Sequence, residues 1–366
     1  MDFVDWLTEI IRHGASDIHL HAGLRPMMRL NGKLMPVMKT PLTPEFTESL
    51  SDILCDERTR AIFEEKKQAD LAYSIPGVAR LRVNIFRQRG SVSAVLRVIN
   101  TNESQLEIVN LPKEILDYFR NQEKGLILVT GPTGSGKSTT LARIVNEINQ
   151  THQKMIVTIE DPIEYLHQSR ESAVIQREIG ADAPSFSEAL TAALRQDPEV
   201  IMIGEIRDRG TAEAALSAAQ TGHLVLSTLH TLDTVRTINR MIELFPPNER
   251  DTVRILFAES LVGIVSQRLL PSADGQGRIA AMEILKGTLR IRELVKDENR
   301  TYEIYEALKD SRFDGMQTFD DALAELYAED LITFETGLIA ATSPQHFKMA
   351  ATQIDVERGR EAPSPV

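Results

Sequence analysis

The stretch from residue 131 to residue 138 has the glycine pattern of a phosphate-binding loop. Backbone N–H groups can turn toward phosphate oxygens at glycines because no Cβ stands in the way. Lys137 would then reach the β- and γ-phosphates of ATP, and Ser138 would ligate Mg²⁺. An apolar strand before the loop and a helix after it favour this interpretation over a glycine-rich turn without a ligand. The predicted nucleotide-binding residues here are Gly131, Pro132, Thr133, Gly134, Ser135, Gly136, Lys137, Ser138 and Thr139.

Carboxylates follow two further apolar stretches that are predicted to be strands. Glu160 ends the stretch 155–160, Glu164 comes four residues later, and Glu205 follows the stretch 200–204. The carboxyl ends of parallel strands meet at one edge of a sheet, where ligands bind in doubly wound folds. We expect Glu205 to act on Mg²⁺, directly or through water, and Glu164 or Glu160 to polarise the attacking water. Both glutamates stay candidates for this second role.

Two histidines, His223 and His230, bracket the apolar stretch 224–229. A lone histidine beside a strand is more often a satisfied structural residue than a catalytic one. Two imidazoles in these positions can instead sense the γ-phosphate and pass strain to a neighbouring element. A metal site is not predicted here, because no third ligand lies at a suitable spacing.

The first hundred residues are predicted to form a small α+β domain. Residues 3–11 carry apolar side chains at helical spacing, and Asn31-Gly32 is a two-residue hairpin signal. A helix is expected over residues 43–66 and strands over residues 69–99. With the domain taken as 1–100, the polar stretch 101–112 follows as a linker.

The rest of the chain is predicted to form an α/β domain followed by helices. Short apolar strands alternate with helices, which predicts a mostly parallel sheet with helices on both faces. The predicted strands are 125–130, 155–160, 200–204 and 224–229, and helices are expected from about 249 to 269 and from 288 to 341. The predicted boundaries are 113–285 for the α/β domain, 286–345 for a C-terminal helical region and 346–366 for a flexible tail.

Composition limits the classes of protein to which the chain can belong. Its 366 residues exceed what one hydrophobic core usually supports, and its net charge of -12 argues against a dedicated nucleic-acid binder. The single cysteine, Cys55, cannot form an intrachain disulfide. The N-terminus lacks a signal-peptide pattern, and no apolar run approaches the roughly 20 residues of a spanning helix. We therefore expect a cytoplasmic protein whose membrane contact, if it has one, comes through a partner.

In their order and spacing, these motifs resemble those of the PilT/PilU family of secretion-type ATPases. The resemblance runs from residue 1 to about residue 340 and is carried by Gly14–Leu20, Arg80–Asn84, the loop at 131–138, Thr158–Glu164, Glu205–Asp208 and the two histidines. It implies a PAS-like N-terminal α+β domain, a RecA-like P-loop ATPase domain and ATP-driven retraction of type IV pili (twitching motility) by a ring of six subunits. The implied partners are further copies of the chain, an inner-membrane pilus platform protein and a paralogous retraction ATPase, with no nucleic acid.

The resemblance also implies roles for individual residues. It assigns catalytic roles to Glu164, Glu205, Arg82, Arg97 and His230, and nucleotide contacts to Glu160 and His223. Arg82 and Arg97 match arginines that reach from the N-terminal domain toward the γ-phosphate. Considered apart from the family resemblance, arginines on two strands of one hairpin more often form a solvated basic face. An arginine supplied across an interface would stabilise charge on the transferring phosphoryl group.

The chain departs from the family pattern in the helical region. PilT proteins carry the signature Ala-Ile-Arg-Asn-Leu-Ile-Arg-Glu, and residues 289–295 keep arginines and leucines there but lose the signature. Residues 315–320 and the extension past Leu338 are more similar to the PilU branch, whereas the N-terminal motif and the phosphate loop are more similar to PilT. A principal retraction motor and an accessory partner with little activity alone both stay open.

Three other functions are weaker interpretations of the same residues. Pilus-assembly and type II secretion ATPases usually carry an additional N-terminal domain and a four-cysteine metal site, which a single cysteine disfavours. A nucleotide-binding adaptor that scarcely hydrolyses ATP is disfavoured by the full set of catalytic residues. A DNA-translocating ring is disfavoured by the acidic balance and by the lack of a basic, aromatic-interleaved channel.

Overall fold

A computed structural model describes residues 2–30, 32–99, 106 and 109–359. Contacts divide the chain into two compact units. The first unit comprises residues 1–102, 161–167 and 180–182, and the second comprises residues 103–160, 168–179 and 183–366. Two short segments of the predicted α/β domain therefore belong to the first unit. Of the predicted linker, residues 101–105, 107 and 108 lie outside the described residues.

The first unit is an antiparallel six-stranded sheet with three helices. The helices are α1 (Phe3–Arg12), α2 (Pro44–Leu54) and α3 (Glu57–Lys66), and the strands are β1 (Asp17–His21), β2 (Met27–Leu30), β3 (Lys33–Pro36), β4 (Gln68–Ile75), β5 (Ala79–Gln88) and β6 (Ser91–Ile99). The strand order is β3-β2-β1-β6-β5-β4. The predicted hairpin is confirmed, because Leu30 pairs with Lys33. A single helix over 43–66 is wrong: Cys55 is extended, and Asp56 caps α3 by accepting from Thr59 N at 2.7 Å.

Alternation along the strands gives this sheet one apolar and one polar face. Leu81, Val83 and Ile85 of β5 are fully buried and pack in the core with the three helices. Arg82, which lies between them, is exposed, and it pairs across the sheet with Arg97 of β6. Both candidate arginines therefore lie on the face that the core does not use.

The second unit is built on a seven-stranded sheet. Its strands are β7 (Gly125–Thr130), β8 (Met155–Glu160), β9 (Ala173–Glu178), β10 (Val200–Ile203), β11 (Leu224–Leu229), β12 (Leu261–Pro271) and β13 (Arg278–Lys286), in the order β13-β12-β7-β11-β10-β8-β9. Adjacent strands are parallel except for the antiparallel pair β12–β13. The four predicted strands and the mostly parallel sheet are confirmed.

Helices cover both faces of this sheet, as the alternation predicted. They are α4 (Lys113–Arg120), α5 (Lys137–Thr151), α6 (Phe186–Ala193), α7 (Arg209–Gln220), α8 (Thr234–Glu243), α9 (Arg250–Ser260), α10 (Leu289–Lys296), α11 (Glu303–Asp310), α12 (Phe319–Ala328), α13 (Phe334–Ala340) and α14 (Pro344–Glu357). Leu126 and Leu128 of β7 join one apolar cluster, and Ile127 and Val129 join another. The strand is therefore buried on both sides, which explains its uninterrupted apolar sequence.

The predicted helix over 249–269 is wrong in its second half. Helix α9 ends at Ser260, and the chain continues as β12 beside β7. A strand that is buried on both faces has no alternation, so its periodicity does not distinguish it from a buried helix. One irregularity interrupts its pairing: Leu261 lies opposite Leu126 and Gly263 opposite Ile127, which leaves Val262 as an extra residue. This β-bulge sets the register of the rest of β12.

The predicted flexible tail, 346–366, is also wrong for most of its length. Ser343 caps α14, which packs against α12 and α13, and Phe347 and Ala351 are fully buried. Residues 360–366 lie outside the described residues. No helix in the described ranges is both long and apolar enough to cross a membrane.

Candidate functional site

The phosphate loop joins β7 to α5 at the carboxyl edge of the second unit's sheet. Two of its glycines, Gly131 and Gly136, have φ values of +147° and +89°. A Cβ at Gly131 would lie 2.4 Å from the carbonyl oxygen of Gln267. Only glycine fits there, because the backbone of β12 approaches too closely for a side chain. Ser138 and Thr139 lie in the first turn of α5, whose N-terminal end carries partial positive charge.

Lys137 connects the loop with two other predicted residues. Its Nζ donates to the carbonyl oxygens of Gly131 and Pro132 at 2.9 and 3.0 Å and lies 3.4 Å from His230 Nδ1. The other ring nitrogen, His230 Nε2, lies 3.2 Å from Glu205 Oε2. One neutral tautomer, with the proton on Nε2, satisfies both contacts. Lys137, His230 and Glu205 thus contact one another in sequence at this edge of the sheet, and we call this row of contacts the line from Lys137 to Glu205.

The backbone on either side of Glu205 is fixed by neighbouring strands. Gly204 N donates to Ile159 O at 2.8 Å, and Thr228 Oγ1 donates to Gly204 O at 2.7 Å. Arg207 forms an ion pair with the Glu205 carboxylate, whose side chain is 12% exposed. The carboxylate is therefore held in place but remains accessible to a ligand.

The structure places His223 away from the phosphate loop. Gly125 N donates to His223 O, so His223 lies beside the first residue of β7, whereas the phosphate loop follows its last residue, Thr130. Strands rise about 3.3 Å per residue, so roughly 16 Å separates the two ends. The His223 ring contacts Ala218 O at 3.0 Å and Thr221 Oγ1 at 3.3 Å. Of the two histidines, His223 thus lies at the opposite edge of the sheet, and His230 lies beside the loop.

Glu160 ends β8 and is 7% exposed. Its Oε1 accepts hydrogen bonds from Thr158 Oγ1 at 2.6 Å and from Gln176 Nε2 at 3.0 Å. Two donors on one oxygen fix the orientation of the Glu160 carboxylate.

The first unit holds a cavity of about 240 Å³ that brings three predicted catalytic residues together. Arg82, Arg97 and Glu164 line it, with Pro162 and Tyr165 beside them. Arg82 makes no hydrogen bond or ion pair with the residues that the structure describes. The cavity therefore presents two guanidinium groups and one carboxylate.

Arg97 is held by Asp17, a residue that the sequence patterns did not single out. Arg97 Nε donates to Asp17 Oδ1 at 2.8 Å, and Ser16 Oγ donates to Asp17 Oδ2 at 2.8 Å. Burial raises the pKa of Asp17, but the hydrogen bonds from Arg97 and Ser16 and the Arg97 charge outweigh burial and leave the pKa below its ordinary value of 3.8. Asp17 follows Ala15-Ser16 in the N-terminal motif, which was the only signal for it.

A buried set of hydroxyl groups supports the base of the phosphate loop and was not predicted either. Thr130 Oγ1 lies 2.7 Å from Ser266 Oγ, Thr237 Oγ1 donates to Thr130 Oγ1 at 3.3 Å, and Thr231 Oγ1 lies 2.6 Å from Thr237 Oγ1. The set connects β12, the end of β7, α8 and the loop that carries His230. No local sequence signal marks it, because its members lie far apart in the chain.

The chain is similar to known proteins over most of its length. Residues 3–326 match the family model described as type II/IV secretion system protein. The chain is 42% identical over 347 residues to the type IV pilus retraction ATPase PilT of Pseudomonas aeruginosa, covering 95% of this chain and 100% of that protein. It is 41% identical over 349 residues to the type IV pilus ATPase PilU of the same organism, covering 95% and 91%. A crystal structure of the pilus retraction motor PilT with bound ADP is similar with a TM-score of 0.85 and 44% identity, covering 94% and 98%.

The two identities, 42% and 41%, are too close to separate PilT from PilU. Both relatives align over nearly the whole chain, and the similar structure holds ADP. The chain therefore belongs to the type II/IV secretion system protein family, as an ATPase of its PilT/PilU group.

Proposed function

We propose that the chain is a motor ATPase that powers type IV pilus retraction as a ring of six copies. The line from Lys137 through His230 to Glu205, at the edge where the phosphate loop meets α5, carries the proposal. The first unit is proposed to be PAS-like and the second RecA-like. Two relatives are described as a type IV pilus retraction ATPase and a type IV pilus ATPase, which supports pilus retraction as the process that the chain powers.

Lys137 is proposed to neutralise phosphate charge. Lys137 is 8% exposed, and its Nζ contacts the carbonyl oxygens of Gly131 and Pro132 and the His230 ring. A phosphate oxygen is a stronger partner than a neutral carbonyl, because charge-assisted bonds are stronger. ATP would therefore draw Lys137 from Gly131 O and Pro132 O toward its β- and γ-phosphates.

Ser138 and Glu205 are proposed to hold Mg²⁺ together with the nucleotide. Mg²⁺ takes one or two protein oxygens and otherwise binds phosphate and water. Both side chains offer the hard oxygens that Mg²⁺ prefers, and the bound ion would neutralise charge on the β- and γ-phosphates.

Glu164 is the better candidate to position the attacking water. Glu164 lines the same cavity as Arg82 and Arg97, and Glu160 does not. In hydrolysis the water oxygen bonds to the γ-phosphorus while the bond to the ADP oxygen breaks, and the water proton passes to a base or to phosphate. The two guanidinium groups are proposed to stabilise the charge on the transferring phosphoryl group.

The accessory function remains the second candidate. The nearly equal identity to PilU favours it as much as the identity to PilT favours the principal motor. For either function we propose a cytoplasmic chain that meets the inner membrane through a pilus platform protein. The accessory form would assemble and bind ATP but hydrolyse it only slowly without a paralogous partner.

Lys137→Ala tests the proposal, with Lys154→Ala as the matched control. Lys154 also donates from Nζ to a backbone carbonyl, Gln122 O at 3.3 Å, but it lies just before β8, at the edge opposite the loop. We expect Lys137→Ala to reduce steady-state ATP hydrolysis at least about a hundredfold, because an oriented charge at the phosphates is lost. Lys154→Ala should keep wild-type turnover, measured as phosphate release. Equal turnover in the two variants would refute the site, and a slow but Lys137-dependent wild type would favour the accessory function.

A further inference from the structure

Gln267 of β12 contacts the phosphate loop with one end of its carboxamide and α5 with the other. Its Nε2 donates to Ser135 O at 2.6 Å, and its Oε1 accepts from Thr140 Oγ1 at 2.9 Å. The side chain is 1% exposed. Gln267 therefore holds the loop and the first turn of α5 from the sheet side.

The bond to Ser135 O has a consequence for the next N–H group. In a trans peptide the C=O and the N–H that follows point in opposite directions, because the unit is planar. If Ser135 O is fixed toward Gln267, then Gly136 N–H is fixed away from β12 and toward the inside of the loop. Inward N–H groups are what a phosphate-binding loop offers its ligand. Gly136 itself has a φ of +89°, so its peptide planes rotate easily without such a constraint.

Gln267 is itself held firmly in place. Before it, Ser266 Oγ lies 2.7 Å from Thr130 Oγ1. After it, the Arg268 guanidinium lies 3.8 Å from the centre of the Phe319 ring and donates to Ala340 O at 2.7 Å. A group that is fixed on both sides orients its partner at little entropic cost. The carboxamide is therefore a rigid support for the loop.

We propose that Gln267 is a positioning residue for ATP binding, which sets the direction of the Gly136 N–H through the Ser135 carbonyl. It does not touch the nucleotide. The inference deepens the proposed function and rests on phosphate binding in this loop. Since the oriented N–H serves bound ATP and the transition state alike, its loss should act mainly on KM.

The test compares Gln267→Met with Gln317→Leu. Methionine keeps the length of the side chain and removes both polar ends. Gln317 is the control because its Nε2 also donates to a backbone carbonyl, Met282 O at 2.8 Å, away from the phosphate loop. For Gln267→Met we expect the dissociation constant of Mg-ADP and the KM for ATP to rise about tenfold, with kcat within about threefold. Gln317→Leu should leave all three at wild-type values.

Two more variants separate the ends of the carboxamide. Gln267→Glu keeps the acceptor for Thr140 but sets a carboxylate against Ser135 O, so it should weaken Mg-ADP binding at least as much as Gln267→Met. Thr140→Val removes only the other bond and should weaken binding less than about threefold. If circular dichroism shows that Gln267→Met does not fold, the Mg-ADP affinity of Gln267→Glu decides whether the inference holds.

Each outcome has a distinct meaning. Wild-type ADP affinity in a folded Gln267→Met or Gln267→Glu variant overturns the inference while Lys137→Ala is still inactive. A wild-type chain that binds neither ADP nor ATP overturns the proposed function instead. A larger effect of Thr140→Val than of Gln267→Glu would assign the support to the α5 bond and overturn the role of the Ser135 carbonyl.

Discussion

Arg82 and Arg97 lie opposite each other on β5 and β6, yet their surroundings differ. Arg97 donates to the nearly buried carboxylate of Asp17, whereas Arg82 has no such partner among the described residues. A hydrogen bond to a charged group contributes about 1.5–3 kcal/mol when buried, and less when one partner is exposed as Arg97 is. Both arginines share the proposed catalytic task, but Arg97 also stabilises the fold.

Arg97→Ala and Arg82→Ala should both lower ATP turnover, but only Arg97→Ala should lower the free energy of unfolding, by about 1 kcal/mol. The pKa of Asp17 is depressed in the folded state, so its contribution is present above its ordinary pKa of 3.8 and is lost as the pH falls below that value. Urea unfolding between pH 3 and 7 should therefore show a shallower acid loss for Arg97→Ala than for wild type. An equal loss of stability in Arg82→Ala would contradict this division.

Residues with a local motif could be predicted from the sequence, and residues defined by partners could not. The loop at 131–138, Glu205 and His230 each carry a local sequence signal, and each follows a strand at one edge of the sheet. His223 precedes its strand and so lies at the opposite edge. Gln267 and Asp17 were missed because their importance comes from contacts more than 75 residues away in the chain.

At the scale of elements, the C-terminal helices depend on one close contact. Gly337 of α13 faces the ring of Phe347 on α14, and a Cβ at Gly337 would lie 2.2 Å from the ring. Replacing a glycine inside a helix by alanine normally raises the free energy of unfolding by about 1 kcal/mol. Here the added methyl group would instead overpack a ring that is fully buried.

Gly337→Ala should therefore reduce the free energy of unfolding by about 1–3 kcal/mol, because displacing the Phe347 ring costs more than helix propensity returns. Chemical denaturation followed by circular dichroism measures it. Ile339→Ala is the control on the same helix, because that side chain is 86% exposed and its loss should change stability by less than about 0.5 kcal/mol. A stabilised Gly337→Ala would mean that α13 and α14 do not pack as described.

Elements with a clear period or a cap could be predicted from the sequence. The central strands 125–130 and 224–229 were correct, because glycine-rich or polar turns bound each apolar run. Strand β12 was mistaken for the continuation of α9, since its apolar run lacks alternation. Helix α14 was assigned to a tail because residues 354–366 are charged and contain proline, and only tertiary packing gives Phe347 and Ala351 partners.

At the scale of the whole molecule, the proposed ring makes a prediction about mixtures. If Arg82 acts on the nucleotide of a neighbouring copy, each site needs Lys137 from one chain and Arg82 from another. Lys137→Ala and Arg82→Ala should each be nearly inactive alone, yet an equal mixture should regain about a quarter of wild-type turnover, because a quarter of the sites then has both residues. Turnover after mixing, with sedimentation to verify assembly, measures this. No regain from an assembled mixture would place both residues of a site in one chain.

The β-bulge at Val262 affects the phosphate loop, although it lies several residues away along β12. Without the extra residue, pairing from Leu261 opposite Leu126 would bring Val265 rather than Ser266 opposite Thr130. The buried hydroxyl pair would be lost, and the carboxamide of Gln267 would turn to the other face of the sheet. Val262 therefore fixes the face of the sheet on which each later side chain of β12 lies. This one extra residue, roughly 17 Å before Gln267 along the strand, decides which side chain reaches the phosphate loop.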